Sequence, residues 1–190
     1  MIGSHGQQRK QRPFDEAVRV PYLLSYPRRL GRDKQRRLPG MLDVGLDTMP
    51  TLLELCGLPI PPSVQGRSFA KYLLGVEDDP SAGAALLQCA HPFGEWTRAQ
   101  GGREYRGLRT LSHTYIRTLE GPWLLYDLEA DPYQLENLVG RPEQQARVQE
   151  LDAALSVRLA EVGDEFESGD ALLARWGYET NENGTVPYTN

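Results

Sequence analysis

The second half of the sequence predicts an α+β unit: a four-stranded antiparallel sheet with one helix laid across a face. The first half predicts loops and short helices around a single strand. Three observations carry this. Ala85 to Ala90, Tyr105 to Leu111, Thr114 to Leu119 and Trp123 to Leu128 are runs of strand length and composition. The last three are joined only by Ser112-His113 and Glu120-Gly121-Pro122, links that suit hairpins and are far too short for crossovers. From Pro142 to Val162, the residues Val148, Leu151, Leu155, Leu159 and Val162 recur at helical spacing between Glu, Gln and Arg. A sheet and a helix with one apolar face each bury those faces against one another.

The elements in order are these. MIGSHGQQRK has no helix or strand period and reads as the middle of a loop whose preceding strand is missing. From Phe14 to Pro27 the first half has helical residues, and Tyr22-Leu23-Leu24-Ser25-Tyr26 is a short buried strand closed by Pro27. Arg28 to Gly40 is a polar linker or surface loop. Asp47 to Leu55 is a helix with Asp47 as N-cap, Pro50 in the first turn, an apolar face of Met49, Leu52, Leu53 and Leu55, and Gly57 as the C′ residue. Leu58 to Gly66 is a stiff proline loop. Ser68 to Leu74 is a second short helix ended by Gly75, and Glu77 to Gly83 is a turn-rich spacer. The tail from Ser168 to Asn190 has one short helix through Trp176, then a polar end. No internal repeat is visible.

Composition narrows the function classes. The 190 residues are 39% hydrophobic and 25% charged, enough apolar surface for a real core. No apolar run approaches a membrane span, and no secretory signal follows Met1. The net charge of −5 conceals a basic leading segment: residues 1–37 carry +7 and the remainder −12. Such asymmetry fits an anionic ligand or a solvated loop. A nucleic-acid arm is disfavoured, because the basic residues lack interleaved aromatics and a groove-reading motif. Cys56 and Cys89 have no partners at metal-ligand spacing and read as small buried hydrophobes.

The chain has no Gly-x-Ser-x-Gly elbow, no phosphate-binding glycine loop and no His-Glu-x-x-His. His113 reads as a turn residue between strands, and His91, before Pro92, as structural. One segment differs: Ser4-His5-Gly6, then Lys10, then Arg19-Val20-Pro21 places a histidine and a lysine on a glycine-flanked loop just before a strand. Loops at strand ends are where α/β proteins hold ligand-binding groups, and a lysine there offers a compact positive charge to a tetrahedral anion.

That segment, GSHGQQRKQRPFDEAVRVPYLLSYP, resembles the sulfatases of the alkaline phosphatase superfamily. There a metal-binding Ser-Asp-His/Asn-Gly turn runs into a glycine-histidine loop, followed by a lysine and a Tyr/Phe-Glu-x-x-x-Arg-Val-Pro run. Two further blocks are similar in family order: Leu42 to Phe69, with its Asp-x-x-Pro-Thr-Leu-Leu, Gly-Leu-Pro and Gly-Arg-Ser segments, and Tyr105 to Val139, ending in LYDLEADPYQLENLV. The resemblance implies an alkaline-phosphatase-like α/β fragment over 1–83, the α+β subdomain over 84–167 and a tail over 168–190.

It also implies a sulfuric ester hydrolase that uses a formylglycine, made from Cys or Ser in Cys/Ser-x-Pro-Ser-Arg, and a divalent cation, usually calcium. Lys10 matches the family lysine that contacts the sulfate, and His5 lies in the matching loop as a substrate-binding residue. Arg19 is expected to pair with a carboxylate, and Asp127 and Asp131 to cap turns. Neither Cys56 nor Cys89 fits the nucleophile motif, and no metal turn is present. The chain therefore reads as a C-terminal portion starting at an internal methionine, inactive alone. Its expected partners are a sulfated small molecule or glycan and the missing N-terminal sulfatase portion. The alternative is a non-catalytic anion- or carbohydrate-binding module or partner subunit. Phosphodiesterases, phosphonate monoester hydrolases and phosphoethanolamine transferases share the core, so the choice of sulfate rests on the LYDLEADPYQLENL block. The sequence does not select a compartment.

Overall fold

The computed structural model describes residues 1–32, 37–81 and 83–188. Lys34 and Arg36 of the basic leading segment, the middle of the predicted Arg28–Gly40 linker, Ala82 of the spacer and the last two tail residues lie outside them. The chain divides into two compact units, Met1–Val20 with Leu86–Asn190, and Pro21–Ala85.

The helices are α1 (Asp15–Val18), α2 (Pro27–Leu30), α3 (Thr48–Leu55), α4 (Ala70–Leu74), α5 (Gln145–Val162) and α6 (Gly169–Trp176). The strands are β1 (Ala84–Cys89), β2 (Tyr105–Thr110), β3 (His113–Thr118) and β4 (Gly121–Asp127), in spatial order β1-β2-β3-β4. The antiparallel register pairs Leu108 with Tyr115 and Tyr115 with Leu125, and a bulge follows Ile116. The predicted meander and helix are therefore present. His113 opens β3 rather than sitting in the turn, because Ser112 and Leu111 suffice to reverse the chain.

Alternation along these strands produces two occupied faces. Tyr115 and Leu125 share the face on which α5 lies, with Val148, Leu151, Leu155 and Leu159 buried and the Tyr115 hydroxyl donating to Asp152 at 2.8 Å. Val162, expected in this stripe, is exposed: the helix ends at Gly163 in the left-handed region, and its last turn has run past the sheet. The other face carries Tyr105, Ile116, Leu124 and Tyr126, joined by Trp96, with Phe14 packed against them. Gly107 keeps this face flat, since a Cβ there would lie 2.3 Å from Ile116 Cδ1.

In the unit Pro21–Ala85, α3 and α4 form where the sequence predicts, each ended by a left-handed glycine, Gly57 and Gly75. Asp47 does not cap α3 with its side chain. Its carboxylate instead accepts from the backbone N–H of Asp43 and of Arg67, both at 2.8 Å. Of the predicted apolar face only Leu55 is buried, while Met49 and Leu52 are exposed. Cys56 is exposed rather than buried, since it caps the helix end instead of lying under it. The segment Tyr22–Tyr26 forms no strand, and Leu23 is 97% exposed. Its apolar run has strand composition, but among the described residues no strand of this unit pairs with its backbone groups. Among the described residues no helix is long and apolar enough to cross a membrane.

Candidate functional site

The loop that carries His5 and Lys10 is tightly folded. Met1 to Gln11 closes on itself through an isolated bridge between Ile2 and Gln8, and Gly3, His5, Gly6, Arg9 and Gln11 all adopt positive φ. Three of these five are non-glycine, a density of left-handed backbone that persists only where surroundings impose it.

Those surroundings come from the sheet. The His5 ring stacks on Phe14 with centroids 4.0 Å apart and planes 12° apart, and Phe14 meets Tyr126 of β4 at 6.0 Å. Burial pushes the Tyr126 phenol up to about 12, so it stands as a neutral wall at physiological pH. His5 Nε2 is buried without a hydrogen bond, 3.7 Å from the Glu16 carboxylate. Lys10 projects into solvent and makes no hydrogen bond or ion pair among the described residues. The loop thus holds His5 against the sheet and presents Lys10 outward. No contact joins the two.

A clamp that sequence reasoning missed fixes the exit of this loop. Asp15 at the start of α1 receives two parallel hydrogen bonds of 2.8 Å from Arg109 of β2. Its backbone N–H donates to Gln134 Oε1 at 2.6 Å, and Gln134 Nε2 donates to Thr114 of β3 at 3.1 Å. Gln134 is 1% exposed and adopts φ +57°, so it is wholly committed to this bridge. Such a bidentate Arg–carboxylate pair fixes orientation as well as position. Arg19 pairs with the same carboxylate at 3.7 Å, in the structural role expected of it. Asp127 accepts from the N–H groups of Glu129 and Ala130, and Asp131 from Glu136, so both cap turns.

Cys56 lies outside the Cys-x-Pro-Ser-Arg motif, and Cys89 offers no nucleophile. Cys89 is half-buried, and burial pushes its thiol up to about 11, leaving it protonated at neutral pH. Among the described residues no group of three or more His, Cys, Asp or Glu side chains is arranged to hold a metal ion. What the site offers chemically is an exposed cation and a fixed imidazole, separately placed on one loop anchored to a sheet.

Comparison with known proteins identifies the family of the chain. The family model described as N-sulphoglucosamine sulphohydrolase, C-terminal, matches residues 3–161. The chain belongs to this sulfatase family. An ulvan-active sulfatase of Formosa agariphila is 36% identical over 181 residues, covering 94% of this chain and 34% of the relative. An endo-4-O-sulfatase of Bacteroides thetaiotaomicron is 30% identical over 181 residues, covering 89% of this chain and 35% of that one. The chain thus spans about a third of the length of these relatives. Its fold matches the solved structure of BT4656 in complex with D-glucosamine-2-N,6-O-disulfate, with a TM-score of 0.68, 23% identity, and coverage of 87% of this chain and 33% of that one.

Proposed function

We propose that this chain is the C-terminal portion of a sulfuric ester hydrolase acting on a sulfated glycan, with Lys10 contacting the sulfate and His5 forming a wall of the substrate pocket. The family match over residues 3–161 carries this reading. The geometry supports it: a sulfate-binding lysine must be free of internal carboxylates, and Lys10 pairs with none among the described residues. The names of the relatives support a glycan, since an ulvan-active sulfatase and an endo-4-O-sulfatase are both among them.

The calcium and the formylglycine of the family's reaction belong, in this reading, to residues outside this chain. The residues present do not fit either group: they include no metal-binding cluster among those described, and neither cysteine lies in the nucleophile motif. The chain's own contribution is positive charge and shape. A lysine placed where charge develops on the sulfate stabilises the transition state more than the ground state.

The test is a chimaera in which this chain replaces the matching third of the ulvan-active sulfatase, assayed with 4-nitrophenyl sulfate and calcium. The chimaera is expected to turn over, and the 190-residue chain alone is not. Lys10→Ala in the chimaera is expected to lower kcat/KM by about 100-fold or more. Full activity of that variant would remove Lys10 from the site. Turnover by the isolated chain would overturn the placement of the nucleophile elsewhere.

A further inference from the structure

A second cleft lies in the unit Met1–Val20 with Leu86–Asn190, built from the approach to β2, the β3–β4 turn and the start of α6. It is an open depression of about 600 Å³, a size in the range of small-molecule pockets. Its charged lining residues are Arg98, Arg103, Glu104, Glu120 and Asp170. Two kinds of charge can be separated by their partners. Arg98 is consumed internally: it donates to buried Glu104 and to both oxygens of Asp170, at 2.9 and 2.8 Å. Arg103 is exposed and makes no hydrogen bond or ion pair among the described residues. After the Thr118 hydroxyl, its nearby charge helps to hold the Glu120 carboxyl below its ordinary value.

Arg103 is nevertheless held in place. Its guanidinium lies 4.8 Å over the ring of Trp123, which itself stacks on Trp96 at 6.5 Å with planes 21° apart. Stacking engages the flat of a guanidinium and leaves its edge, with five N–H donors, unused. The cleft therefore presents one oriented, unspent fork. That fork matches a sulfate or carboxylate. The remaining lining argues against a bare anion, because three carboxylates stand against two guanidiniums, one of them already paired with Glu104 and Asp170. Carboxylates and hydroxyls instead accept hydrogen bonds from hydroxyl groups. Glu120 is held for this by the Thr118 hydroxyl, which donates to it at 2.6 Å.

We propose that this cleft is a saccharide subsite for a hydroxyl-rich ring bearing one anionic substituent, with Arg103 binding the anion and Glu120 and Asp170 receiving ring hydroxyls. The assignment rests on the cleft's own chemistry and stands whether or not Lys10 contacts a sulfate.

The experiment follows the indole N–H resonance of Trp123, assigned with Trp123→Phe, in the 190-residue chain. Probes are glucose 6-sulfate, glucuronate, glucose and inorganic sulfate. Glucose 6-sulfate and glucuronate are expected to shift the Trp123 signal saturably and leave that of Trp176 unmoved. Glucose and inorganic sulfate should bind at least tenfold more weakly, the scale of one lost charge-assisted contact. Arg103→Ala should weaken glucose 6-sulfate about tenfold or more, and Arg103→Lys, which keeps the charge without the fork, by less. If Arg103→Ala does not fold, the lysine variant alone decides. Unchanged affinity in both variants, or inorganic sulfate binding as well as the sugar sulfate, overturns the proposal. So does binding that is lost in Lys10→Ala and kept in Arg103→Ala, which would place the ligand on the N-terminal loop.

Discussion

The two units of this chain are held together by different means. In Met1–Val20 with Leu86–Asn190, a sheet is covered on both faces, and Tyr115, Ile116, Leu125 and Leu155 are completely buried. In Pro21–Ala85, order centres on a polar knot: Thr51 donates to the Asp47 carbonyl at 2.6 Å and accepts from the Phe69 N–H at 2.9 Å, while Asp47 binds the Asp43 and Arg67 amides. Around that knot the buried apolar residues among those described are Pro50, Leu55, Phe69 and Ala70, and Leu23, Met49, Leu52, Leu58 and Val76 are exposed. The difference teaches which term dominates. An apolar side chain fully removed from water contributes about 1.5–3 kcal/mol, whereas a hydrogen bond contributes roughly 1 kcal/mol net and costs more when half of it is left unmade. The first unit should therefore be the more protected in native-state hydrogen exchange.

The largest effects should come from breaking the first unit. Arg106 is 2% exposed and binds the Asp164 carboxylate, the carbonyls of Cys89 and Tyr105 at 3.2 and 3.0 Å, and the Phe166 ring at 4.7 Å. Arg106→Ala strands a carboxylate and two carbonyls and should cost about 3–5 kcal/mol in denaturant unfolding. Leu155→Ala, at the centre of the α5 contact, should cost about 2–5 kcal/mol by opening a cavity. If either variant unfolds at the wild-type midpoint, the two-faced core is not what stabilises this unit.

In the second unit the most damaging change should be polar. Thr51→Val conserves shape but leaves the Phe69 N–H without its acceptor in a fully buried position. A loss of about 1–3 kcal/mol is expected, read as faster exchange of the amides from Thr48 to Leu74. A neutral result would mean that the knot is decoration on a small apolar core.

What was legible in the sequence follows the same division. The strands, their short links and the α5 stripe could be read because each is a local period imposed by one buried face. The Asp15–Arg109–Gln134 clamp could not, because it joins residues 94 and 119 positions apart. Gln134 carries no sequence signal of burial. Tyr22–Tyr26 was misread for the converse reason: an apolar run states what a strand would bury, not that a neighbour is there to pair with it. Resemblance offers Lys10 and His5 as candidates, and the structure separates their situations into one exposed and one stacked.

Acid should act with opposite sign on the two units. In the first, burial pushes the Glu104 and Asp164 carboxyls up, but hydrogen bonds from Arg98 and Arg106 outweigh it and hold both below their ordinary values. Their stabilisation is present above pH ~4.5, the ordinary carboxylate range, and is lost as pH falls through the lower folded values. In the second, burial raises the Asp47 carboxyl, against the opposing pull of the Arg67 and Asp43 amides. Its contribution is present below the ordinary aspartate value near 4 and is lost as pH rises through the raised one. Exchange protection between pH 6 and 3.5 should therefore fall in β2–β4 and rise around α3. Parallel loss in both would contradict the raised Asp47.

The smallest effect sharpens the comparison most. Leu52 and Leu155 are the same residue type at helical positions with the same apolar periodicity, so sequence reasoning assigns them the same weight. Leu155 is 0% exposed and Leu52 is 45% exposed. Truncating Leu52 to alanine gives up only about half of what a fully buried leucine contributes, and alanine has the higher helix propensity, which offsets part of that loss. Leu52→Ala should thus cost about 1 kcal/mol or less. A loss approaching that of Leu155→Ala would show that Leu52 is buried in the molecule as it exists in solution, by a second surface laid against α3. Size-exclusion chromatography of the parent and the variant would then show whether a second copy supplies that surface.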